Sequence, residues 1–146
     1  MRRTTLLLVM MGFLLVVASA VALAANKTGT NKGETLTGTP DSDKLAGGGG
    51  DDILKGQEGD DYLFGDWGDD TLIGGPGDDF LNVADGKAND VIAPGGNASS
   101  NSPGDTCVAD VGDQVEGPLG LLSVPTTAGV YPAFGNCEQL TVVQQA

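Results

Sequence analysis

The sequence predicts an all-β fold of short stacked coils, and three regularities carry that prediction. Leu36, Leu45, Leu54, Leu63, Leu72 and Leu81 recur every nine residues without a break, and Ile92 resumes the series after two extra residues. Two positions before each lies an acid: Glu34, Asp43, Asp52, Asp61, Asp70, Asp79 and Asp90. Seven positions before each leucine lies a glycine, at Gly29, Gly38, Gly47, Gly56, Gly65 and Gly74, and the central four units add a second at Gly50, Gly59, Gly68 and Gly77. Nine is neither a helical nor a simple strand period, so each unit divides between a turn and a strand. The first six positions are rich in Gly and Asp, which suit positive φ and tight turns. The last three, as in "ILK", "YLF", "TLI" and "FLN", suit a short strand whose middle side chain points inward. Two units then make one coil of eighteen residues, and stacked coils give two parallel sheets facing each other over leucines.

Taken in chain order, the first segment is "MRRTTLLLVMMGFLLVVASAVALAAN". Arg2 and Arg3 form a positive start, Leu6 to Val17 an apolar stretch, and Ala22-Leu23-Ala24 a small-residue cleavage pattern, so residues 1–25 read as a signal peptide. The alternative is a retained membrane anchor, since the apolar run is nearly long enough to span a bilayer. Against it, the run ends in alanines where a stop-transfer segment carries Lys or Arg. The double arginine has the look of a twin-arginine signal, although the residues after it fit that pattern poorly. Cleavage leaves a secreted, extracellular protein with no membrane attachment.

The 146 residues leave room for one domain, and a net charge of −13 with no histidine makes it strongly acidic. Nucleic acid and anionic membrane surfaces are excluded as partners, because a phosphate-tracking surface needs clustered bases. Here Lys27, Lys32, Lys44, Lys55 and Lys87 are single and scattered.

The repeats occupy residues 26–93. "GGGGDDILK" at 47–55 and "GGPGDDFLN" at 74–82 follow the pattern G-G-x-G-x-D-x-U-x, where U is a large apolar residue, at every fixed position. "GQEGDDYLF" and "GDWGDDTLI" lack only the second glycine, while "GTNKGETLT" and "GTPDSDKLA" keep the first glycine and the leucine. In this the chain resembles the repeats-in-toxin (RTX), or haemolysin-type, calcium-binding nonapeptide proteins. That resemblance implies a right-handed parallel β-roll of nonapeptide repeats with Ca²⁺ held between turns on the same side.

Electrostatics independently asks for a cation. Turns on one side come from alternate repeats, so Asp52 stacks over Asp70 and Asp61 over Asp79, about 4.8 Å apart if coils are spaced as strands. Two carboxylates at that distance repel by about 1 to 3.5 kcal/mol for effective dielectrics between 80 and 20. A hard dication reverses the sign by taking six to eight oxygens from carboxylates and backbone carbonyls. The expected ligands for several Ca²⁺ ions are Asp43, Asp52, Asp61, Asp70 and Asp79, with the turns of Gly47, Gly50, Gly56, Gly59, Gly65, Gly68, Gly74 and Gly77. The pairs Asp52 with Asp70 and Asp61 with Asp79 have regular turns on both sides, and Asp43 with Asp61 on one. Glu34 with Asp52 and Asp70 with Asp90 are irregular. Asp51, Asp60, Asp69 and Asp78 are expected to offer carbonyls or an outer negative field. A disordered acidic segment is the competing reading, but disorder does not require leucines in phase.

Residues 94–146 read as a linker and a degenerate C-terminal repeat, or cap. "PGGNASSNSPGD" has linker composition, and Gly104-Asp105-Thr106-Cys107 puts a cysteine where the leucine belongs. "NCEQLTVV", Asn136 to Val143, is similar to the "CE" ending of secreted relatives, with Gly117 to Gly135 inserted into it. Cys107 and Cys137 are the only cysteines of a chain read as exported, so a disulfide is expected, buried free thiols being the alternative.

Without histidine there is no Ser-His-Asp triad and no His-ligated zinc, and calcium accounts for the carboxylates a glycosidase would need. The expectation is therefore no enzyme but a secreted calcium-binding repeat protein that folds on extracellular Ca²⁺, as a structural or surface-associated module. The alternative is an adhesin-like protein binding an extracellular partner or polysaccharide on the roll. One sheet would present Tyr62, Phe64 and Phe80 outward with Trp67 at its edge, and the C-terminal segment is expected to cover that patch. Ice binding would need more aligned threonines than Thr30 and Thr39.

Overall fold

Each apolar-centred triplet of the repeat becomes a strand in a computed structural model of the chain, which describes residues 23–87, 89–96, 104–117, 120–125, 127–134 and 136–144. Nearly all of the expected signal peptide, and residues 97–103 of the expected linker, lie outside the described residues. The repeat strands are β1 (Asn26–Thr28), β2 (Thr35–Thr37), β3 (Lys44–Gly49), β4 (Ile53–Lys55), β5 (Tyr62–Trp67), β6 (Thr71–Pro76), β7 (Phe80–Asn82) and β8 (Val91–Gly96). After them come β9 (Thr106–Asp110), β10 (Gln114–Gly117), β11 (Gly120–Ser123), β12 (Gly129–Phe134) and β13 (Cys137–Val143).

Through β10 the odd strands build one sheet and the even strands the other, as two units per coil require. The orders are β1-β3-β5-β7-β9-β13-β12 and β11-β10-β8-β6-β4-β2. The pairs within the repeats are parallel, and their registers align the apolar positions. Leu45, Leu63, Leu81, Cys107 and Leu140 form one row, and Leu36, Leu54, Leu72, Ile92 and Val115 the other. Leu45, Leu54, Leu63, Leu72, Leu81 and Ile92 are wholly buried, each stabilising the roll by about 1.5–3 kcal/mol. The fold is the expected all-β parallel roll.

The two extra residues before Ile92 are absorbed in the turn after β7, where Val83 is buried, so Ile92 still faces Leu72. The sheet also runs past the expected repeat boundary at Ala93. Gly95 pairs with Gly75 and Gly96 with Pro76, so Pro94-Gly95-Gly96 belongs to the stack rather than to a linker. Gly95, at φ 104°, repeats the left-handed turn that Gly75 makes at φ 118°.

Strands β9 and β10 add a further coil, and the inserted residues then close both sheets with antiparallel partners. Strand β11 pairs with β10, and β12 forms a hairpin with β13, which runs parallel to β9. At the cap each sheet thus ends on an antiparallel strand, β12 or β11, rather than on a strand of the repeats. The expected Cys107–Cys137 disulfide is present, with Cα atoms 6.0 Å apart, and ties the leucine row to the start of β13.

One expectation is corrected. The C-terminal segment lengthens its sheet beyond β9 instead of folding over the aromatic patch. Tyr62 stays 55% exposed and Trp67 68% exposed, with the Phe80 ring 6.0 Å from Tyr62 and 5.7 Å from Phe64.

Candidate metal centre

In the repeats of Leu45, Leu54, Leu63, Leu72 and Leu81 the residue two before the buried leucine is the last of the turn, immediately before the strand, and its side chain is drawn into the stack. Asp43, Asp52, Asp61, Asp70 and Asp79 are all at most 2% exposed. Each carboxylate uses Oδ1 to accept a backbone N–H from the coil before. Glu34 N donates to Asp52 at 2.7 Å, Asp43 N to Asp61 at 2.7 Å, Asp52 N to Asp70 at 2.8 Å and Asp61 N to Asp79 at 2.8 Å. Ala25 N donates likewise to Asp43.

These links run on past the nonapeptides. Asp70 N donates to Asp90, Asp79 N to Asp105 at 2.9 Å, and Asp90 N to Asp113 at 3.3 Å. Two ladders result, Asp43–Asp61–Asp79–Asp105 on one side and Glu34–Asp52–Asp70–Asp90–Asp113 on the other. Asp105 and Asp113 were missed in the sequence as ladder members, and Asp90 was read as irregular. The signal was present in "DTC" and "DQV", an acid two before an apolar residue, but unequal spacing hid it from a strict period of nine.

Asp43 and Asp113 also anchor the second oxygen, which accepts Thr39 N in the one and Asp110 N in the other, but in five ladder members it has no such anchor. Oδ2 of Asp52, Asp61, Asp79, Asp90 and Asp105 is buried without a hydrogen-bond partner. In the repeats this oxygen lies against the first glycine of its own turn. A β-carbon on Gly47 would fall within 3.0 Å of both Asp52 Oδ2 and the Gly65 carbonyl oxygen, and one on Gly56 within 3.0 Å of Asp61 Oδ2 and the Gly74 carbonyl oxygen. Gly74 stands in the same relation to Asp79 and the Pro94 carbonyl, and the atoms nearest a β-carbon on Gly65 are those of Asp70. Oxygens from neighbouring coils thus converge where only glycine leaves room.

The turns themselves need left-handed backbone at the second and fourth positions. Gly48, Gln57, Asp66 and Gly75 occupy the second with φ of 98°, 94°, 67° and 118°, and Gly50, Gly59 and Gly68 the fourth with φ of 89°, 99° and 145°. Gln57 and Asp66 hold this conformation despite their β-carbons, at about 1–2 kcal/mol each, so the two units lacking a second glycine still form the full turn. Gly77 is fixed by proximity: its β-carbon would meet the Gly59 carbonyl.

The fifth-position aspartates hold the turns together. Asp51 Oδ1 accepts Asp69 N at 3.1 Å and Asp60 Oδ1 accepts Asp78 N at 3.0 Å. Their side chains bind backbone, a role the sequence reading did not give them.

Burial dominates the electrostatics of the ladder. It pushes Asp52 up, Asp61 and Asp70 to about 6, Asp79 to about 7, Asp90 to about 7, Asp105 to about 6 and Asp113 to about 7, against the opposing pull of the backbone N–H donors. Neighbouring carboxylates raise them further, as Asp43 does Asp61. A bound dication inverts this logic by favouring the ionised form.

The donors fit a hard cation: they are all oxygen, partly orphaned and stacked at coil spacing. Among the described residues no three His, Cys, Asp or Glu side chains form a metal-holding group, so backbone carbonyls must complete each shell.

Comparison with known proteins gives one match and two blanks. The model of the RTX calcium-binding nonapeptide repeat, with four copies, matches residues 28–63 and 47–81. No curated protein and no solved structure matches the chain. The turn glycines, ladder aspartates and buried leucines of residues 28–81 are all in the phase of that model, so this stretch of the chain is similar to RTX calcium-binding nonapeptide repeats.

Proposed function

We propose that the protein is exported and folds when it meets extracellular Ca²⁺, the roll then serving as a structural or surface-associated module. The observation that carries this reading is the set of five buried ladder oxygens without partners. An unsatisfied buried polar group costs about 1–3 kcal/mol, more for a charged one. A dication bound between turns satisfies these oxygens, so its binding free energy becomes folding free energy. Asp43, Asp52, Asp61, Asp70 and Asp79 supply the carboxylates, and the turns of Gly47, Gly50, Gly56, Gly59, Gly65, Gly68, Gly74 and Gly77 the carbonyls.

Export is supported by the signal-like residues 1–25 and by the Cys107–Cys137 disulfide, which persists in oxidising compartments. Extracellular calcium modules bind at about 10⁻⁴ to 10⁻³ M, so this chain would pass a membrane unfolded and collapse outside. The protein acts as a module rather than an enzyme, because the deep carboxylates are engaged with backbone and the chain has no histidine.

The test is circular dichroism with amide hydrogen exchange, in chelator and in millimolar Ca²⁺. Strand signal and protection around Leu54, Leu63 and Leu72 are expected only with calcium. Equal protection in chelator would overturn the proposal.

Tyr62, exposed beside the half-buried Phe64 and Phe80, supports a second reading, in which this face binds a neutral polysaccharide or an extracellular partner. Cosedimentation with insoluble glycans should then be lost in Tyr62→Ala/Phe80→Ala while calcium-driven folding persists.

A further inference from the structure

The first coil departs from the repeat at two registered positions. Lys27 pairs with Leu45, so a lysine stands where the later coils of this sheet bury an apolar side chain, and its Nζ donates to the Thr37 carbonyl. Ala25, eighteen residues before Asp43, stands where the later coils on this side carry Asp43, Asp61, Asp79 and Asp105. It brings no carboxylate to the ladder. Its backbone N donates to Asp43 Oδ1, as Asp43 N does to Asp61 Oδ1.

Engagement with the roll begins at that residue. The Ala25 carbonyl accepts Lys44 N at 2.9 Å, whereas Ala24 is exposed and Leu23 is 80% exposed. Ala22 and Ala24 are also the small residues that an export peptidase reads before the bond it cuts. Ala18-Ser19-Ala20 and Ala20-Val21-Ala22 satisfy the same pattern, but cutting after either would leave Leu23 on the mature chain as an exposed apolar side chain. Cutting after Ala25 would strip Asp43 Oδ1 of its donor.

We infer that export removes residues 1–24 by cutting the Ala24–Ala25 bond, and that the α-ammonium group formed on Ala25 is the resident counter-ion of Asp43 at the open end of the ladder. The leader is then one residue shorter than the sequence alone suggests. In the hydrolysis the amide C–N bond breaks. Water's oxygen goes to the Ala24 carbonyl carbon, which departs as a carboxylate, and its two protons go to the Ala25 nitrogen, which becomes the ammonium. An α-amine holds its proton at neutral pH, so cleavage turns a neutral donor to a carboxylate only 2% exposed into a charged one. The ammonium meets Oδ1. Oδ2 accepts Thr39 N and lies where a β-carbon on Gly38 would also meet the Gly56 carbonyl, so ammonium and calcium approach different oxygens of one carboxylate. Leader removal thereby tightens the first coil. Such a terminus arises only if the chain is exported as proposed above.

The experiment expresses the full-length precursor in a secreting host, recovers the protein from the medium and reads its first residue by N-terminal sequencing. Ala25 is expected. Export with any other first residue overturns the inference and leaves export standing, whereas a chain kept in the cell with residues 1–24 attached overturns both. At saturating Ca²⁺ the exported protein is then compared with that from a precursor carrying one glycine inserted between Ala24 and Ala25, which moves the charge away from Asp43. Hydrogen exchange of the Lys44 amide should quicken by about tenfold, with Leu72 unchanged. Equal exchange at Lys44 overturns the ion pair. Nuclear magnetic resonance of the exported parent, labelled on alanine nitrogen, decides the matter if the inserted chain fails to fold. The Ala25 ammonium should keep a proton-bearing nitrogen signal that a terminus free in water loses to rapid exchange, and absence of that signal overturns the pair.

Discussion

Asp61 accepts the backbone N–H of Asp43, eighteen residues earlier, through one carboxylate oxygen at 2.7 Å and buries the other without a partner. The first bond is a staple between coils, and the second oxygen is an open valence for a cation. One residue type at one position thus sets the coil spacing and the ion requirement together. Neighbouring Asp60 is exposed and caps Asp78 instead.

This difference predicts that the two halves of the aspartate doublet are unequal. Asp61→Ala should raise the Ca²⁺ concentration needed for half-folding by about tenfold or more, about 1.4 kcal/mol per decade, and Asp60→Ala by less than about threefold. Calcium titrations followed by circular dichroism decide it. Equal shifts would mean that both carboxylates ligate, or neither.

The buried row gives a second prediction. Leu63, wholly buried between Leu45 and Leu81, should cost about 2–5 kcal/mol when changed to Ala. Tyr62→Ala loses only an exposed ring and one aromatic contact, about 0.5–1.5 kcal/mol. Urea unfolding at saturating Ca²⁺ separates them, and a tolerant Leu63 would contradict the register.

How far the sequence could be read follows from where its period holds. From Leu36 to Leu81 spacing alone fixed strands, facing and register, because a slip of one residue would turn every leucine outward. Asp105 and Asp113 escaped because turns of unequal length separate them from the repeats, although their local triplets are unchanged. The cap's antiparallel strands were not legible, since "GLLS" and "GVYPAF" carry no period and their pairing is set by the ends of the sheets. The left-handed Gln57 and Asp66 show the stack overriding local preference.

The disulfide should matter most at the cap. With a sequence separation of 30 between Cys107 and Cys137, chain-entropy reasoning gives about 3–4 kcal/mol. In Cys107→Ala/Cys137→Ala at saturating Ca²⁺, hydrogen exchange should quicken at Leu140 and Val142 well before Leu54. Uniform loss of protection along the roll would show instead that cap and repeats unfold as one unit.

Acidity should act in opposite directions with and without calcium. The buried carboxyls of Asp61, Asp70 and Asp105 stand at about 6 and those of Asp79, Asp90 and Asp113 at about 7, whereas in the unfolded chain an aspartate titrates near 3.9. Without calcium the folded chain therefore binds more protons than the unfolded one between about pH 4 and 7. Stability from this source is fully present below the unfolded value and is lost as pH rises through 6 to 7. With calcium, protons and ions compete for the same oxygens of the folded chain, so where acid folds the calcium-free chain the midpoint of Ca²⁺ binding should climb as pH falls from 8 to 5. Circular dichroism in calcium-depleted buffer reads the first effect, and equilibrium dialysis of Ca²⁺ at both pH values reads the second. A gain of structure on acidification in depleted buffer, together with a higher binding midpoint, is the expected pair. A binding midpoint indifferent to pH in a chain that acid folds would mean that the ladder carboxylates are not where the ion sits.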